Sequence, residues 1–109
     1  MWKIIVSPMN PRKTFDEESL QELADNINRQ GLLQPITVRP IEYADDVIDG
    51  EVVEGLPSKY EIVCGERRYR AFMLNGNKVP GFPTAIPCIV REMTDEDAFD
   101  AMITENLQR

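Results

Sequence analysis

The stretch Tyr60–Phe72, YEIVCGERRYRAF, changes character at Gly65. Before the glycine, Tyr60, Ile62 and Cys64 alternate with Glu61 and Val63, the period-two pattern of a strand. After it, three arginines fall within four residues, in a segment, ERRYRAFML, that reads as a helix ending near Asn75 or Gly76. A strand that passes through one glycine into a helix presents backbone N–H groups without intrahelical partners, and the helix dipole adds partial positive charge there. Gly65 lacks a Cβ, so an anion can approach the backbone closely. Arg67, Arg68 and Arg70 bring planar donor forks that match phosphate oxygens, and so many donors suit a triphosphate better than a single carboxylate. The plainer alternative leaves Arg67 and Arg68 in solvent and pairs Glu66 with Arg70, four residues apart, for ~0.3–0.5 kcal/mol. Cations at a helix N-terminus oppose the dipole of their own helix, a conflict that a bound anion would relieve.

Working outward, strands and helices interleave, which places the chain in the mixed α/β class with a small sheet packed against helices. WKIIV (Trp2–Val6) reads as a first strand, followed by a proline-interrupted turn. In TFDEESLQELADNINRQG, Thr14 and Glu17 have capping-box spacing, Leu20, Leu23, Ala24 and Ile27 recur at helical spacing, and Gly31 suits the position after the helix. A strand is expected around Ile36–Arg39. Asp49-Gly50, set between β-branched residues, signals a hairpin, and the segment reads as a protruding hairpin or loop inserted before the strand at Lys59–Cys64. The loop NGNKVPGFPT leads to a strand in AIPCIVRE, and Thr94 and Asp97 cap a last helix that runs to the end of the chain.

The 109 residues fit one domain, with 42% hydrophobic and 28% charged residues typical of a globular protein. No apolar run approaches the ~20 residues of a membrane span, and the N-terminus lacks the features of a secretory signal. Cys64 and Cys88 form no C-x-x-C pair and are expected as buried, reduced thiols, which suits the cytoplasm. The absence of histidine removes the commonest general base and metal ligand, and argues against a Ser-His or Cys-His hydrolase. The net charge of −7 is local: residues 41–58 hold six acids (Glu42, Asp45, Asp46, Asp49, Glu51, Glu54) and no base, while the remainder holds 13 acids against 12 bases. Such a balance disfavours non-specific binding to nucleic-acid phosphates by this domain alone.

Two further stretches carry polar chemistry. In TENLQR, Glu105 and Asn106 offer oxygens of the kind that Mg²⁺ takes beside nucleotide phosphates; an exposed helix end with Glu105 paired to Arg109 is the plainer reading. Asn10–Lys13, NPRK, is a basic turn before a helix, and alone means little.

Taken together, NPRKTFDEESLQELADNI, GLLQPITVR with GERRYRA, and ENLQR occur in the order seen in the ParB family of partition proteins, and the chain resembles that family's N-terminal ParB/sulfiredoxin-like domain over almost its whole length apart from the acidic insertion. The resemblance implies a CTP switch. The triphosphate cradle falls on Gly65, Glu66, Arg67, Arg68 and Arg70, with Arg12 as the arginine of the family's Q-P-R turn, and Gly31, Leu33, Gln34 and Pro35 form the pocket near the base. Glu105 and Asn106 help hold Mg²⁺. Nucleotide-dependent self-dimerisation closes a clamp on DNA, and a ParA-type ATPase is the implied partner, in a cytoplasmic, nucleoid-associated protein of chromosome or plasmid segregation. Any turnover would be slow CTP hydrolysis to CDP. Asn10 stands where the family has glutamine, and the loops at 41–58 and GNKVPGFPTA are longer than usual. The helix-turn-helix and dimerisation domains are expected outside this chain. Three rivals differ. A sulfiredoxin would carry cysteine where Glu66 stands, a small-molecule kinase would use Glu66 as a base beside a bound triphosphate, and a degenerate domain would bind only a protein, through the acidic hairpin.

Overall fold

The computed structural model describes residues 3–12, 14–31, 34–83 and 85–107. Within them lie four strands, β1 (Lys3–Ile5), β2 (Ile36–Ile48), β3 (Glu51–Cys64) and β4 (Cys88–Val90), and three helices, α1 (Glu17–Gln30), α2 (Glu66–Lys78) and α3 (Asp95–Leu107). The sheet order is β1-β3-β2-β4. β1 runs parallel to β3, with Ile4 opposite Tyr60; β2 and β3 are antiparallel; β4 runs parallel to β2, with Thr37 opposite Ile89. The expected mixed α/β class with a small sheet is therefore the class observed.

Alternation along the two central strands separates the two sides of the sheet. Ile36, Val38 and Ile62 are buried with Ile4, Val6, Tyr69 and Ile86. Val63 is buried instead with Ala98 and Met102 of α3. A helical pair completes the first side: Ala24 and Ile27 of α1 pack on Ala71 and Phe72 of α2. The buried Asn75 amide bridges this pair by donating to the Ala24 carbonyl at 2.7 Å. Full burial of a side chain such as Ile36 stabilises by about 1.5–3 kcal/mol. On the α3 side, the neighbours of Val38 and Ile62 in sequence, Arg39 and Glu61, are charged yet only 5% and 4% exposed. They pair at 2.8 Å, and Arg39 also reaches the Asp95 carboxylate at 2.8 Å and the Met93 carbonyl at 3.2 Å. The start of α3 is thereby fastened to the sheet. Burial by itself disfavours the Arg39 charge, but its bonds to Asp95 and Glu61 outweigh that and hold its pKa above the ordinary value.

Several boundaries differ from expectation. α1 is capped by Asp16, whose carboxylate accepts from the Ser19 N–H at 3.2 Å, and not by Thr14. Aspartate is at least as good a cap as threonine, and the Thr14 carbonyl accepts from Arg12 Nε instead. The Asp49-Gly50 turn is present, with φ of 52° and 81°. The segment around it takes the hairpin form of the expected insertion: β2 and β3 extend beyond Arg39 and Lys59 and pair, with irregularities, out to Ile48 opposite Glu51. α2 continues to Lys78, and β4 is confined to three residues. Cys64 and Cys88 are free thiols but only partly buried. The expected strand start at Trp2 and the pairing of Glu105 with Arg109 fall outside the described residues.

Candidate anion-binding site at the start of helix α2

Gly65 joins β3 to α2 with φ +96° and ψ 24°, a left-handed conformation open to glycine at little cost. A Cβ here would lie 2.8 Å from Arg68 Nη2 and 2.8 Å from a methyl of Ile36. The glycine is thus required twice, by its torsion and by the close approach of the buried Ile36 methyl. That guanidinium donates through Nη2 to the Pro35 carbonyl at 3.4 Å, while its Nε is buried without a hydrogen-bond partner. A buried, unmatched donor on a cation costs about 1–3 kcal/mol or more.

The neighbouring side chains form a connected polar network. Glu66 is buried, and both its oxygens are committed: Oε1 accepts from Asn10 Nδ2 at 2.8 Å and Oε2 from Arg70 Nε at 2.8 Å. Asn10 is buried too, and its Oδ1 accepts from the Arg12 backbone N–H at 3.0 Å, the local turn bond favoured by asparagine. The same oxygen accepts from Asn106 Nδ2 at 3.3 Å, and that nitrogen also donates to the Met102 carbonyl at 2.7 Å. The Glu105 carboxylate accepts from the Gly65 N–H at 3.1 Å. An acidic group of α3 therefore already sits at the positive end of α2, where the free amides favour anions.

Electrostatics mark the same corner. Burial first, and then the Glu105 carboxylate, push the Cys64 thiol above its ordinary value, with Arg68 and Arg91 acting in the opposite sense. Among the described residues no cluster of three or more Cys, Asp or Glu is arranged to hold a metal.

The sequence-derived candidates divide into three groups. Gly65, Glu66, Arg68, Arg70, Pro35, Arg12, Glu105 and Asn106 converge on this network, partly through Asn10. Arg67 turns toward α1, donating to the Ser19 hydroxyl and to the Ser19 carbonyl, the latter at 3.3 Å. Gly31 ends α1 and lines a separate recess of about 270 Å³ with Phe72, Pro80 and Phe82; Gln34 is exposed, and Leu33 lies outside the described residues. Sequence reasoning missed the central place of Asn10, which connects residues 56 and 96 positions away. Its only local signal was the Asn-Pro turn. Phe15 was missed as well: the guanidinium carbons of Arg12 and Arg70 lie 5.0 Å and 4.6 Å from its ring centroid.

Comparison with known proteins agrees with this architecture. The chain is 44% identical over 103 residues to the chromosome-partitioning protein Spo0J of Thermus thermophilus, and 42% identical over 99 residues to the chromosome-partitioning protein ParB of Myxococcus xanthus. It spans 94% and 91% of itself in these matches but only 30% and 26% of the relatives' lengths. Among solved structures, a C-terminally truncated ParB of Caulobacter crescentus complexed with CTP-gamma-S matches with a TM-score of 0.72 and 38% identity, covering 97% of this chain and 49% of that one. The same protein complexed to the centromeric parS site matches with a TM-score of 0.65. The family model described as the ParB N-terminal domain matches residues 1–107, and the chain belongs to that family.

Proposed function

We propose that this domain is the CTP-binding switch of a ParB-like chromosome- or plasmid-partitioning protein. The observation that carries the reading is the corner at Gly65: a left-handed glycine that admits Arg68, an Arg68 Nε buried without a partner, and a helix N-terminus beside it whose cap residue offers no side-chain bond. A triphosphate supplies the acceptors that this corner lacks. The CTP-gamma-S bound to the Caulobacter relative supports the choice of nucleotide.

In this reading Gly65, Arg68, Arg70 and Arg12 meet the phosphates, and Arg67 joins them from its present bonds to Ser19. Gly31, Leu33, Gln34 and Pro35 border the base. Glu66 holds Asn10 and Arg70 in place. With both oxygens engaged and 4% exposure, it is poorly set to accept a proton from a substrate hydroxyl, which disfavours the kinase alternative. Glu105 and Asn106 fit Mg²⁺ as one carboxylate and one amide oxygen, a partial set of the kind Mg²⁺ completes with phosphate oxygens and water. Bound there, the ion would neutralise phosphate charge. Self-dimerisation on nucleotide binding, a ParA-type ATPase partner, slow CTP hydrolysis and nucleoid association belong to the same proposal. The parS site bound by the Caulobacter relative supports DNA binding by the full protein.

The test is thermal. CTP with Mg²⁺ is expected to raise the melting temperature more than ATP or GTP does, because selective binding to the native state adds RT ln(1 + [L]/Kd) of stability. Arg68→Ala is expected to abolish the rise while leaving the circular-dichroism spectrum unchanged. Equal responses to all three nucleotides, or none, would sink the reading.

A further inference from the structure

Arg12 and Arg70 come from different parts of the chain, the turn before α1 and the second turn of α2. Both carry positive charge, yet both guanidinium groups stand within 5.0 Å of the centroid of one ring, that of Phe15. Two like charges gathered on one ring repel unless something offsets them. The negative faces of an aromatic ring do so without consuming a hydrogen-bond donor, because the attraction is to the π quadrupole. The remaining restraints act at Nε on both arginines. Arg70 Nε donates to Glu66 at 2.8 Å, and Arg12 Nε donates to the Thr14 carbonyl at 3.4 Å. Among the described residues, no protein acceptor engages the terminal nitrogens of either group. Each arginine is therefore oriented by its ring contact and its Nε bond, with its strongest donor pair left for something else.

We propose that Phe15 is a positioning residue: its ring holds Arg12 and Arg70 together as a two-armed clamp for phosphate oxygens. The identity of the clamped anion rests on the nucleotide reading above, whereas the ring-to-guanidinium geometry does not. A ring suits this role because it lets two cations approach while offering no carboxylate to compete with the ligand. Preorganised donors lose less freedom on binding, so the effect of the ring appears in affinity.

The experiment replaces Phe15 with pentafluorophenylalanine, which keeps the size and shape of the ring but reverses its quadrupole, and separately makes Phe15→Leu. Titration calorimetry reads the binding of CTP and of inorganic triphosphate, each with Mg²⁺. NMR reads the ring-current shifts of the Arg12 and Arg70 side chains without ligand. Wild type is expected to show upfield-shifted arginine side-chain protons, and fluorination is expected to weaken both ligands by about five- to tenfold while the free protein keeps its circular-dichroism spectrum and melts only slightly lower, because the ring no longer offsets the two charges. Arg12→Ala should then weaken binding less in the fluorinated protein than in wild type, because the two changes act on one clamp. Wild-type affinity in the fluorinated protein would overturn the clamp and leave the nucleotide reading intact, as would arginine protons without ring-current shifts. A wild-type protein that binds neither CTP nor triphosphate would overturn both. If Phe15→Leu fails to fold, the fluorinated ring alone decides the matter, since it preserves packing.

Discussion

Asn10 and Glu66 are polar, buried and 56 residues apart, and each satisfies the other. Their burial is affordable only because every strong acceptor in the pair finds a donor, from Arg70, the Arg12 amide and Asn106. Cys64, one residue before the glycine corner, shows how this environment acts on a titrating group. Burial and the Glu105 carboxylate raise its thiol above the ordinary value of 9.0. The folded state therefore resists thiolate formation more than the unfolded chain does. The corresponding stability is fully present below the ordinary thiol value and is lost as pH rises through the higher folded one. We expect the melting temperature of wild type to fall more steeply above about pH 9 than that of Cys64→Ala. Iodoacetamide should label Cys64 in the native protein with a midpoint above that of a free thiol. Parallel melting curves for the two proteins, or a normal alkylation midpoint, would contradict the assignment.

At the scale of elements, α3 is attached at both ends. Its first turn is tied to the sheet through Asp95, Arg39 and Glu61, and its last turn reaches the anion corner through Glu105 and Asn106. The Arg39–Glu61 pair is inside the protein, so removing one partner strands the other charge away from water. Such a break costs about 3–5 kcal/mol, far more than loss of an exposed pair. Arg39→Met should destabilise by that amount in urea unfolding. Asp95→Asn, which removes a carboxylate that is 86% exposed, should cost less than about 1 kcal/mol. A double change, Arg39→Met with Glu61→Leu, should recover much of the loss, because no unpaired charge remains. If the single and double variants are equally unstable, packing and not charge is what the pair contributes.

Across the whole molecule, the β2–β3 ribbon dominates the shape. Only its base is flanked: β1 pairs with Lys59–Glu61, and β4 with Ile36–Val38. The remainder extends from the body, and Tyr43, Val47 and Val52 are at least half exposed along it. The radius of gyration is 15.4 Å, against about 13 Å for a compact chain of this length. Because the tip contributes nothing to the three buried clusters, its removal should leave the body standing. Ala44 pairs with Leu56, so replacing residues 45–55 by Asn-Gly closes a two-residue hairpin at that rung. The shortened chain should melt within about 3 °C of the parent, give a radius of gyration close to about 13 Å by solution scattering, and keep its response to CTP. Loss of cooperative melting would show that the ribbon is part of the folding unit.

The sequence alone determined the mixed strand and helix order, the Asp49-Gly50 turn, the cap of α3 by Thr94, and the glycine and arginines at the start of α2. These are local features, fixed by side-chain periodicity, by torsions that few residues adopt, and by bonds spanning three or four residues. Tertiary structure decided the rest. It set which charged residues would be buried, since alternation along a strand gives each residue's side of the sheet but not what packs there. It replaced Thr14 by Asp16 as the cap of α1, because the two are nearly equivalent in local preference. It also brought Asn10, Phe15 and Glu105 to one corner with Gly65 and Arg70. Contacts across 40 to 96 residues leave no pattern in the intervening sequence, and they come into being only when helices and sheet close upon a common core.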